Sequence, residues 1–216
     1  MVEQQRRGRP VGHPRCWRWL TACVCAAVVW GAHPAVALAD SPPAVVHDTA
    51  LENMFAGYGD TTQTGWTGGD SAYSIVLPDG RRVWVFSDTF LGPVNGDGTR
   101  SMSSPFIHNC YVLQSGNALT DTLYTTNAFG KFGLVNTTDG QTYYWMGAQI
   151  VEGNLLRQFV NRFAAAGGEF QQVGVDVATF SLPDLTLQSI TASPGGFLPT
   201  YQGSGPVDYG QAIMQD

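Results

Sequence analysis

A proline–aspartate–glycine turn set between two alternating apolar runs constrains this chain more than any other segment. Ala72-Tyr73-Ser74-Ile75-Val76-Leu77 leads in, Pro78-Asp79-Gly80-Arg81 follows, and Arg82-Val83-Trp84-Val85-Phe86 returns. Pro fixes φ and Gly accepts a positive φ, so these residues reverse the chain and the two runs pair as an antiparallel hairpin. The rhythm continues downstream. Phe106–Leu113 reads as a third strand, closed by the turn Gln114-Ser115-Gly116-Asn117, and Leu119–Thr125 as a fourth. After a polar, Gly-containing stretch, Thr142–Met146, Val173–Leu182 and Leu185–Ile190 read as strands, the last two around Leu182-Pro183-Asp184. Leu155–Phe163 fits either a helical stripe or a half-buried strand; strand is preferred because its neighbours are strands. Short strands at this spacing predict an all-β chain of antiparallel sheets, as a sandwich, barrel or propeller. Two sheet-sized units are expected, at 66–126 and 140–191. Residues 40–65 form a lead-in, and 192–216 begin a further unit that is cut short.

Composition narrows the function. Of the 216 residues 44% are hydrophobic and only 13% charged, about half the ~25% charged fraction of ordinary soluble domains. That balance excludes an acidic disordered chain and a coiled coil. Arg6, Arg7, Arg9, Arg15 and Arg18 precede the apolar run Leu20–Trp30, and Ala37-Leu38-Ala39 precedes Asp40. This is the layout of a secretory signal peptide over 1–39, and its apolar run is too short to span ~30 Å of hydrocarbon. The expectation is a secreted, extracellular protein with no stable membrane insertion after cleavage. Beyond the leader, six basic and sixteen acidic residues remain, a net charge of −10. Such a surface lacks the clustered Lys and Arg that nucleic acids and anionic membranes require. Neutral partners fit it, and glycans are one such class. Only Cys110 lies beyond the leader, so no intrachain disulfide is expected; it reads as a buried apolar thiol.

Two Asp-bearing motifs carry the chemistry. Thr67-Gly68-Gly69-Asp70 precedes the first hairpin strand, and Phe86-Ser87-Asp88-Thr89-Phe90 closes the second. In an antiparallel pair the start of one strand lies beside the end of its neighbour, so both carboxylates fall at one edge of the sheet. Glycoside hydrolysis needs such a pair: one acid protonates the leaving oxygen while the other activates water or attacks. Trp66, Tyr73 and Phe90 offer stacking faces, and Gly65, Gly68, Gly69 and Gly92 allow a sugar close approach. The competing reading is that Asp70 caps a turn and Asp88 bonds loop amides.

The run Gly65–Leu91, followed by Asn109-Cys110-Tyr111-Val112-Leu113-Gln114 and by Phe180-Ser181-Leu182-Pro183-Asp184-Leu185-Thr186-Leu187, resembles a family of secreted bacterial proteins catalogued as a domain of unknown function. These in turn resemble five-bladed β-propeller glycoside hydrolases of the arabinanase and β-fructosidase kind. The resemblance implies blades of a β-propeller, with Asp70 and Asp88 as catalytic or ligand-binding acids on a polysaccharide or oligosaccharide. Trp66, Tyr73, Phe90 and Asn109 are the expected substrate contacts. The related hydrolases usually have Gly where this chain has Ser87. About two of five blades are present, so the propeller is expected to be incomplete and the chain an N-terminal fragment. A non-catalytic glycan-binding module and a secreted structural protein are the alternatives.

Other signals are plainer. Asn95-Gly96-Asp97-Gly98-Thr99 mimics a calcium loop, but Arg100 stands at the sixth position and Phe106 where the bidentate Glu belongs. A solvated turn is expected. His47 and His108 have no zinc spacing and read as structural. Neither metal nor cofactor is expected. Tyr143-Tyr144-Trp145 reads as core packing before sugar binding, and Glu152 is a remote candidate for a third acid.

Overall fold

The computed structural model describes residues 45–166, 169–193 and 210–213. The expected signal peptide at 1–39 and most of the expected unit at 192–216 lie outside the described residues. The chain opens with helix α1 (Thr49–Thr61), inside the stretch read as a lead-in. Asp48 caps it, its carboxylate accepting from Leu51 N at 3.0 Å. Leu51, Phe55 and Tyr58 make a partly buried stripe at helical spacing. Gly57 and Gly59 weaken the propensity of the last turns, which hides the helix from sequence inspection.

Everything that follows is antiparallel β. Strands β1 (Trp66–Gly69), β2 (Tyr73–Val76), β3 (Arg82–Phe86), β4 (Thr89–Leu91), β5 (Phe106–Ile107), β6 (Cys110–Ser115) and β7 (Ala118–Leu123) come first. The short hairpin β8 (Thr125–Asn127) and β9 (Gly130–Phe132) is next. Strands β10 (Thr142–Glu152), β11 (Leu155–Ala166), β12 (Glu169–Ser181) and β13 (Thr186–Ala192) complete the set. Two four-stranded meanders result, ordered β2-β3-β6-β7 and β10-β11-β12-β13, with a three-stranded sheet β1-β4-β5 beside the first. Among the described residues no sheet closes on itself.

Alternation along β3 and β6 explains the packing. Val83, Val85, Tyr111 and Leu113 join a core shared with Tyr144, Met146, Leu156, Val160, Ala178 and Phe180 of the second meander. Phe86, Cys110 and Val112 face a second core with Leu91 and Ile107, closed by Phe55 and Tyr58 of α1 and by Trp66 and Trp84. Both faces of β3 and β6 are therefore covered, which is why Val83–Phe86 and Cys110–Leu113 read as unbroken apolar runs. Each fully buried Val, Leu or Phe side chain contributes about 1.5–3 kcal/mol.

The ambiguous segment Leu155–Phe163 is strand. Leu156, Gln158 and Val160 are all fully buried at period two. Gln158 mimics a helical break in the apolar pattern, yet it belongs to the core side. Its amide donates to Gly147 O at 2.7 Å and accepts from the Tyr111 hydroxyl at 3.2 Å, filling the irregularity between Met146 and Gln149 of β10. Gly210 closes the same place. Its carbonyl accepts from Ala148 N, and at φ +80° a side chain there would strike the Phe159 ring.

Candidate active site

Three neighbouring strands break at the same level. The path β1 to β2 is interrupted at Asp70-Ser71-Ala72, β3 to β4 at Ser87-Asp88, and β5 to β6 at His108-Asn109. Alignment survives each break: Gly69 faces Thr89 and Tyr73 faces Val85 on either side of the first two. Likewise Thr89 faces Ile107 and Phe86 faces Cys110. Asp70, Asp88 and His108 therefore stand in one row across the three strands. Backbone bonds fix the crease, Asp70 N donating to Asp88 O at 3.2 Å and Ser87 N to Asp70 O at 3.1 Å. Ser71 takes up the bend at φ +71°, a conformation uncommon for a residue with a Cβ and more often met at functional sites.

Asp88 is held by its neighbours. Its Oδ1 lies 2.9 Å from His108 Nδ1 and accepts from Trp145 Nε1 at 2.8 Å. No hydrogen bond reaches its Oδ2 among the described residues. Asp70 is exposed, and its carboxyl is pushed above the usual range, first by partial desolvation and then by the Asp88 charge. Ser87 is buried; its hydroxyl accepts from Met146 N at 2.9 Å and from the Ser71 hydroxyl at 2.9 Å, tying the crease to β10.

Sequence reading missed His108 and Trp145. Alternation along β10 sends Tyr144 and Met146 to the core, and the opposite parity sends Tyr143 and Trp145 to the carboxylate side. The His108 ring stacks on Tyr143 with centroids 4.0 Å apart. Rings then run to both sides of the row. Phe90 and Phe106 lie 5.0 Å apart on one side, and Trp145 meets Phe163 and Phe170 at 4.3 and 5.4 Å on the other. The Tyr143 hydroxyl is shielded from solvent and has no partner among the described residues. Its pKa is raised, first by burial and then by the Asp88 charge.

The remaining expected contacts divide. Phe90 is 41% exposed beside the row, under the Arg100 guanidinium at 5.1 Å. Tyr73 is at the surface, its hydroxyl donating to Gln211 Oε1 at 3.4 Å. Trp66 packs in the second core against Phe55 and Phe86. Asn109 is fully buried: its amide donates to Val135 O and Tyr144 O and accepts from Val135 N, all within 2.9 Å. The structure thus gives Trp66 and Asn109 packing and clamping roles. Glu152 pairs with Arg157 at the far end of β10, about 20 Å along the strand from Trp145. Cys110 is buried, and burial pushes its thiol up to about 12. Among the described residues no cluster of three His, Cys, Asp or Glu side chains is placed to hold a metal.

Comparison with known proteins gives two findings. The family model for a domain of unknown function (DUF5005) matches residues 52–216. The fold is similar to the crystal structure of a candidate hydrolase from Bacteroides ovatus ATCC 8483, with a TM-score of 0.55 and 22% identity. That likeness covers 67% of this chain, and this chain spans 43% of the other's length. No curated protein matches.

Proposed function

This chain belongs to the DUF5005 family, and from that premise we propose that it is a secreted, carbohydrate-active protein of the glycoside hydrolase kind, acting on a neutral polysaccharide. The observation that carries the reading is the row Asp70–Asp88–His108 set between two groups of exposed and half-buried rings. Asp70, with its raised pKa, is suited to protonate the leaving glycosidic oxygen. Asp88, oriented by His108 and Trp145 through one oxygen, keeps the other to take a proton from water or to attack the anomeric carbon. Ring faces are the surfaces on which the C–H faces of sugars pack. The leader-like layout of 1–39 supports secretion. Two consecutive meanders support propeller blades as the architecture, and the Bacteroides ovatus candidate hydrolase, similar in fold, is consistent with a hydrolytic role.

The test is release of reducing ends from arabinan, fructan and other neutral polysaccharides by the full chain and by Asp70→Asn and Asp88→Asn. Each substitution is expected to lower kcat by about 10²–10⁴. Cleavage that survives both removes the catalytic assignment. Binding without cleavage identifies a glycan-binding module that uses the same rings.

A further inference from the structure

Beside the carboxylate row lies an open cleft of about 540 Å³, within the size range of small-ligand sites. Its walls come from β8, Phe132 of β9, residues 135–137 and 140–141, and the first residues of β10. His108 and Tyr143 line it as well. Because His108 Nδ1 also holds Asp88 at 2.9 Å, one imidazole borders both the cleft and the candidate catalytic row.

The lining selects a class of ligand. Thr125, Thr126, Asn127 and Gln141 line it with uncharged polar side chains, and no Asp, Glu, Lys or Arg contributes to it. His108 is the one lining side chain able to carry a positive charge, and Asp88 already takes its Nδ1 at 2.9 Å, so a charged ligand would lose water there for little counter-charge. A polyhydroxyl ligand exchanges its water bonds for side-chain donors and acceptors. The Thr126 hydroxyl and the Gln141 side-chain amide make no hydrogen bond among the described residues, so both are free to meet a ligand, while the Gln141 backbone N–H donates to Asp139. Phe132, 38% exposed, and the Tyr143 ring add apolar faces.

We propose that this cleft is a binding subsite for an uncharged oligosaccharide, extending the Asp70–Asp88 site past His108 toward the β8–β9 hairpin. Its connection to catalysis rests on the glycoside hydrolase reading above. Its ligand class rests on the lining alone.

The experiment pairs binding with cleavage. Calorimetric titration of the full chain uses five- and six-unit arabino- and fructo-oligosaccharides, with oligogalacturonate as the acidic counterpart. The wild type should bind a neutral oligosaccharide and ignore the acidic one. Thr126→Trp, which fills the cleft, should weaken binding about tenfold or more. Gln141→Ala, an exposed truncation that leaves the fold intact, should weaken it about three- to tenfold. Hydrogen exchange on the wild type gives a readout that needs no variant: ligand should slow exchange over 125–132 and 136–143. Unchanged binding in both variants, protection confined elsewhere, stronger binding of oligogalacturonate, or no binding of any neutral oligosaccharide would each overturn the cleft assignment. Binding that depends on Thr126 and Gln141 without any cleavage by the wild type would uphold the cleft and remove the catalytic reading instead.

Discussion

Asp70 and Asp88 face each other across paired backbone, and like charges opposite one another oppose folding. Asp70 carries the consequence because its pKa is raised in the folded state. Below its ordinary value of 3.8 it is protonated whether folded or not, and the folded state keeps its full advantage. As pH rises through 3.8 toward the raised folded value, that advantage is lost. At neutral pH Asp70 therefore opposes folding, and Asp70→Asn should raise Tm. The gain should stay below about 1 kcal/mol, since the side chain is exposed and screened, and should vanish in melts below pH 3.8. Ser87 predicts the reverse sign. Ser87→Gly leaves the Met146 N–H without its acceptor in a buried place. A loss of about 1–3 kcal/mol in urea unfolding is expected. Asn109 satisfies three backbone groups at once, so Asn109→Ala should cost about 3 kcal/mol or more.

At the scale of elements, the site exists because three strands break together. A continuous β3–β4 strand would keep Asp88 in a regular ladder; the break at Ser87-Asp88 frees the carboxylate for His108 and Trp145. Helix α1 supports the crease from behind. Phe55 meets Trp66, Trp84 and Phe86 with ring centroids 5.2, 5.1 and 6.0 Å apart. Phe55→Ala should destabilise the fold by about 2–3 kcal/mol, below the range for a fully buried ring because Phe55 is half-buried. Asp48→Ala, which removes only the cap, should cost about 1 kcal/mol. Chemical denaturation of both variants checks the ranking, and equal losses would show that the helix is held by its cap rather than by its rings. The helix is the element that escaped sequence reading, because two glycines mask a stripe whose partners lie on β1 and β3. The hairpin at 72–86 was legible in full, because its turn chemistry and its alternation are both local.

For the whole molecule, the shared core decides cooperativity. Val83, Val85 and Tyr111 of one meander pack with Leu156, Val160 and Phe180 of the other. The two meanders should therefore unfold in one transition, with tryptophan fluorescence and far-ultraviolet circular dichroism coinciding. Leu156→Ala, about 2–5 kcal/mol destabilising, should shift both signals equally. Separate transitions would mean that the meanders are independent.

The alternation of side chains, the turn residues and the antiparallel rule needed only the sequence. They determined that the chain is β, where most strands lie, and that Asp70 and Asp88 meet. The partners of Asp88 needed the tertiary structure. Trp145 stands 57 residues away, and nothing local distinguishes it from Tyr144, which turns into the core. Periodicity tells which residues share a face. Only the packing of one sheet on another decides which face meets the core and which meets the carboxylates.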